Sequence, residues 1–133
     1  MKRFAIQTDQ APQAIGPYSQ GISVEKPGRI VYFSGQIAID PSASGPAKIV
    51  GASVEEQTER VMQNIHGLLR AAGAEFSDII KTTIFLRDMA DFPKVNAIYA
   101  KRFPIEPPAR STVAVSGLPL NALVEIECIL ALP

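Results

Sequence analysis

The sequence predicts an α+β fold in which a single mixed β-sheet carries both helices of the chain on one face. Three observations lead there. Six strand-like segments surround only two helical patterns, the elements follow the order βββαβαββ, and several strands are apolar on both sides. Strands grouped in this way, rather than alternating strictly with helices, favour helices gathered on one side of a sheet. Two helices cover only one face, so the other is expected to be buried by association with further copies of the chain.

The first three strands are residues 3–7, 20–25 and 29–34, bounded by Gly, Pro or Asp. Before the second lies Ala11-Pro12-Gln13-Ala14-Ile15-Gly16-Pro17-Tyr18-Ser19-Gln20, where two prolines and a glycine fix the backbone that presents Tyr18. The third runs into Ser34-Gly35-Gln36. A helix then begins at Ser53, whose hydroxyl caps free amides while Glu56 completes a capping box. Val61, Ile65, Leu68, Leu69 and Ala72 recur at helical spacing until Gly73. Residues 79–87 form the next strand, with Ile80, Ile84 and Leu86 to one side and Ile79 and Phe85 to the other. The second helix starts at Asp91, runs through Val95, Ile98, Tyr99 and Phe103, and stops at Pro104. The last strands, 110–115 and 123–131, are joined by a short segment, and an antiparallel hairpin is their expected arrangement.

At 133 residues the chain is long enough for one domain, spanning 1–133, with a real core. It is 47% hydrophobic and 20% charged, with 13 basic and 13 acidic residues, which excludes a disordered chain. Balanced charge argues against a nucleic-acid partner held by phosphate contacts. Cys128 is the only cysteine, so neither an internal disulfide nor a cysteine zinc cage is available. Residues 1–9 have no apolar leader, and no stretch approaches the ~20 apolar residues of a membrane span. A cytoplasmic protein without a membrane partner is the expectation.

Four segments have residue types suited to chemistry. Tyr18 fits either a pocket wall with a hydroxyl donor or a ring packed on the core. At Ser34-Gly35-Gln36 a glycine admits close approach of a ligand to the backbone, or marks a β-bulge. In Pro107-Pro108-Ala109-Arg110-Ser111, a stiff proline run leads into a strand opening on arginine. The planar guanidinium of Arg110 grips a carboxylate through two parallel bonds; the competing reading is a surface arginine. Glu125 and Glu127 share the strand face opposite Val124, Ile126, Cys128 and Leu130, as a half-buried general base or as solvated side chains. Whether Arg110 and Glu125 share a face depends on a register the irregular loop between them does not fix. His66 has no companion at metal-ligand spacing, and Cys128 phases with the core.

Together these segments, with Gln57, Gln63-Asn64, Asp91-Phe92, Val95-Asn96, Tyr99, Leu118-Pro119 and Glu125-Ile126-Glu127, resemble over nearly the whole chain the signature regions of the reactive intermediate deaminase (RidA/YjgF) family. The resemblance implies a chorismate-mutase-like fold assembled as a homotrimeric barrel, with active sites in clefts between subunits. It implies hydrolysis of 2-aminoacrylate and related imine or enamine acids to 2-oxo acids and ammonia, with no cofactor or metal. By the same resemblance Arg110 salt-bridges the substrate carboxylate, Glu125 orients or activates water, Tyr18 and Asn96 line the pocket, and Ser34 and Gly35 offer backbone contacts. Thr112 stands where some members carry a cysteine, and residues 41–51 form a slightly longer loop. A non-catalytic ligand-binding trimer is the alternative reading; an RNA-cleaving role finds little support in the balanced charge.

Overall fold

Both helices form beside the caps the sequence offers. In the computed structural model, which describes residues 1–133, the first helix α1 (Val54–Ala72) follows Ser53. The Ser53 hydroxyl accepts the Glu56 N–H at 3.1 Å and donates to the Glu56 carboxylate at 3.1 Å. The helix ends where Gly73 turns left-handed at φ 68°, and the next amide, Ala74 N–H, reaches back to the Leu69 carbonyl at 2.9 Å. Val61, Met62, Ile65 and Leu69 form its buried stripe. Helix α2 (Phe92–Ala100) is shorter than the pattern predicts. Its entry is capped by Asp88, which accepts the Ala90 N–H at 2.9 Å across a 3₁₀ turn, and Asp91 makes no capping bond. Phe103 is buried but lies beyond the helix, in a terminal turn closed by its N–H on the Ala100 carbonyl.

Six strands form, but in two hydrogen-bonded sheets rather than the one expected. β1 (Lys2–Ile6) and β2 (Gly21–Glu25) make an antiparallel ribbon. β3 (Arg29–Gln36), β4 (Ile79–Leu86), β5 (Ala109–Ala114) and β6 (Val124–Leu132) make a mixed sheet in the order β3-β6-β4-β5. One bridge, Ser19 with Ala109, joins the loop before β2 to the β5 edge. The Ser19 N–H donates to the Pro108 carbonyl at 3.2 Å, but Pro107 and Pro108 have no N–H to return, so the ladder stops there.

The expected hairpin of the last two strands does not form. β5 pairs parallel with β4, and β6 lies antiparallel between β3 and β4. The chain between β4 and β5 contains a helix, long enough for the crossover that a parallel pair requires. The strand β6 buries Val124, Ile126, Cys128 and Leu130 and takes the central position. The phase of β4 also differs. Its register slips between Ile79 and Lys81, so Ile79 joins Ile84 and Leu86 in the core and Ile80 is the displaced residue.

The core lies between the two helices and one face of the four-stranded sheet. Side-chain amides pin α1 to the segments around it. Gln57 donates to the Gly51 carbonyl at 3.0 Å and accepts the Leu123 N–H at 2.9 Å, and Asn64 donates to the carbonyls of Ile37 and Ile39. The opposite face carries no helix. It carries Ile30, Tyr32, Phe85, Val113 and Ile129, with Tyr32 74% exposed, interspersed with Lys81, Glu125 and Glu127, so apolar side chains do lie on both sides of the sheet. No helix is long and apolar enough to cross a membrane.

Candidate functional site

Arg110 sits at the β5 edge and projects toward α2. The bridge at Ser19 folds residues 15–18 back over that edge, with the Tyr18 N–H on the Gly16 carbonyl at 2.8 Å and the Ile15 N–H on the Tyr18 hydroxyl at 3.3 Å. This places the Tyr18 ring 5.4 Å from the Arg110 Cζ. Helix α2 supplies the rest of the enclosure: Phe92 at 5.4 Å, Tyr99 at 5.1 Å, and the Asn96 Oδ1, which accepts from Nη1 at 2.7 Å. Three rings and one amide thus surround a guanidinium.

None of the chain's ion pairs, Asp40 with Arg60 and Glu59 with Lys101 and Arg102, involves Arg110. Partial burial pushes its pKa down, opposed by the neighbouring Tyr99 and Tyr18. The half-buried cation therefore has aromatic faces and one neutral acceptor for company. An incoming carboxylate would relieve its desolvation and take its remaining N–H donors. On the same sheet face the Thr112 Oγ1 is buried without a hydrogen-bond partner.

Glu125 belongs to a different neighbourhood. The register of β3 against β6 runs from Phe33 opposite Cys128 to Gln36 opposite Ile126, which leaves one extra residue in β3, a bulge. A Cβ on Gly35 would collide with the Glu125 carboxylate, so any side chain here would force that carboxylate out of its present place. The bulge reading of Gly35 holds, and the group that approaches its backbone here is a glutamate of the same chain. Ser34 is exposed on the same bulge, its carbonyl accepting from the Gln36 amide at 3.1 Å. Glu125 is half-buried and Glu127 exposed.

The sequence-predicted residues therefore form two groups. Arg110, Asn96 and Tyr18 meet at the β5 edge; Glu125, Ser34 and Gly35 meet at the β3 side. Arg110 pairs with Thr82 on the helix face, whereas Glu125 pairs with Phe85 on the uncovered face. With two strand spacings between them and an offset of three residues, their backbones are roughly 14 Å apart and their side chains diverge. No surface cleft of the single chain is lined by either residue; Tyr18 and Gly35 line separate ones.

Cys128 is buried, its thiol pushed up to about 12 by burial, and His66 is exposed against the Phe76 ring at 6.0 Å. The sequence reading did not single out Phe92 and Tyr99 as part of the arginine's enclosure. Phe92, Asn96 and Tyr99 are spaced i, i+4, i+7 on one helix stripe, a signal present in the sequence, although the apolar pattern assigns Tyr99 to the core.

A family model described as Endoribonuclease L-PSP matches residues 8–132. Reactive Intermediate Deaminase A, chloroplastic, of Arabidopsis thaliana is 49% identical over 99% of this chain and 67% of its own length. The 2-iminobutanoate/2-iminopropanoate deaminase of Homo sapiens is 41% identical over 96% of this chain and 88% of its own. Among solved structures, E. coli TdcF with bound serine aligns at a TM-score of 0.72 and 37% identity, covering 98% of this chain and 99% of that one.

Proposed function

Because this chain belongs to the endoribonuclease L-PSP family, with Rid deaminases among its relatives, we propose that it hydrolyses 2-aminoacrylate and related enamine or imine acids to 2-oxo acids and ammonia. The observation that carries this reading is Arg110, a half-buried cation enclosed by rings and one amide, with no carboxylate of its own chain. A small 2-imino acid supplies that carboxylate and places its imine carbon one bond away.

Glu125 handles the water. After the enamine takes a proton from solvent on its β carbon and gives one up from nitrogen to become the imine, the water oxygen adds to the imine carbon and the C=N electron pair moves to nitrogen. Glu125 accepts a proton from the water and delivers it to that nitrogen, giving a carbinolamine. It then removes the hydroxyl proton and returns it to the departing nitrogen as C=O forms, so ammonia leaves and the carboxylate is regenerated. An imine carbon is already electrophilic, so positioning and one base can supply much of the acceleration.

Because the two groups lie on opposite faces and different strands, the complete site needs two chains. A head-to-tail homotrimer, with the β5 edge of one protomer against the bulged β3 side of the next, brings Arg110, Asn96 and Tyr18 to Glu125, Ser34 and Gly35 three times over. The same packing covers the helix-free face.

A threonine dehydratase acting with semicarbazide as a trap for the released imine tests the activity. Added protein is expected to reduce semicarbazone and raise free 2-oxobutanoate; unchanged trapping rejects the enzyme. A non-catalytic binder would take up 2-oxobutanoate and leave the trapping unchanged.

A further inference from the structure

Tyr99 is completely buried, yet it carries a hydroxyl into the core. Its partner is the Thr82 Oγ1 at 2.7 Å, on a residue only 1% exposed. Phenylalanine and valine would fill the same volumes without placing two polar groups out of water, and the net gain of one such hydrogen bond is small. The pair therefore contributes chiefly orientation. Thr82 is the register partner of Arg110 across the parallel β4–β5 ladder, so the bond ties the ring to the strand beside the arginine. Phe103 holds the ring from another direction, with centroids 4.7 Å apart. The ring so fixed lies nearest the guanidinium, 5.1 Å from Cζ against 5.4 Å for Tyr18 and Phe92.

We infer that Thr82 and Tyr99 are positioning residues for the carboxylate-binding arginine: their hydroxyl pair sets the ring on which the Arg110 guanidinium rests, and with Asn96 it directs the free N–H donors at the ligand. Neither residue touches substrate. A guanidinium free to slide over its aromatic support presents a two-pronged grip for a smaller fraction of the time, which weakens the bound acid without altering the chemical step. Single substitution leaves an orphaned buried hydroxyl and lowers stability, whereas replacing both partners removes the orphan.

The inference rests on Arg110 as the carboxylate site, and the experiment separates the two. The variants Thr82→Val, Tyr99→Phe, their double and Arg110→Ala are compared by thermal unfolding, by kcat and KM in the dehydratase-coupled assay, and by calorimetric binding of 2-oxobutanoate. The double variant is expected to melt near the parent temperature, keep kcat within about twofold, and raise KM and the 2-oxobutanoate Kd roughly five- to tenfold. A double variant with the parent's KM and Kd overturns the inference while the Arg110 site stands. An Arg110→Ala variant that binds like the parent overturns the site itself, and the inference with it.

Discussion

The two ends of the four-stranded sheet hold their charged residues in opposite ways. At the β5 edge Arg110 is enclosed by its own chain, with rings from the N-terminal loop and α2 and an amide from α2 fixing it. On the β3 side Glu125 rests against a glycine backbone and opens onto a face that no helix covers. In the proposed trimer the first group is fixed within the protomer, and the second is completed by another copy. Binding a carboxylate requires a fixed fork, and guiding a water requires a base whose surroundings close only around substrate.

The largest expected effect comes from removing the enclosed group. Arg110→Ala should lower kcat/KM by about 10²–10³-fold, mostly through KM, as charge-assisted paired bonds are lost. Removing the open group should act on the other constant. Glu125→Gln keeps the shape and is expected to lower kcat about 10²-fold while 2-oxobutanoate binding stays near that of the parent. Co-expressing the two inactive variants tests whether the halves belong to different chains. Statistical mixing in a head-to-tail ring gives about a quarter of the sites both intact residues, so about a quarter of the parent rate should return. No recovery in verified hybrid trimers would show that each site lies within one chain.

Smaller effects sharpen the contrast. Gly35→Ala puts a methyl group where the Glu125 carboxylate now lies. Displacing that carboxylate should cost about tenfold in kcat with little change in carboxylate binding. Ser53→Ala lies in neither half. It removes the α1 cap and should lower stability by about 1 kcal/mol, seen as a fall in Tm of a few degrees, with kcat/KM at the parent value.

The helices were legible because their signals are local. Ser53, Glu56 and Gly73 act within one turn of α1, and its apolar stripe needs no knowledge of what it packs against. Strand pairing was less so. Chain proximity favoured a hairpin for the last two strands, but the crossover helix put β5 beside β4, and the slip at Ile80 reversed the phase of Ile79, which alternation alone placed on the wrong face. Arg110 could be singled out by residue type and its proline lead-in. Its enclosure could not, since Tyr18 reaches it only through the fold-back at Ser19, and Tyr99 has the pattern of a core residue until Thr82 and Arg110 are seen on either side.

The final strand in chain order is β6, and it stands inside the sheet, bonded to β3 on one side and β4 on the other. During synthesis β3 and β4 therefore emerge as two unmated edges with apolar residues in view, and the sheet has no centre until β6 leaves the ribosome. Folding must wait for translation to pass Leu132, and the nascent chain is exposed to mispairing throughout that interval.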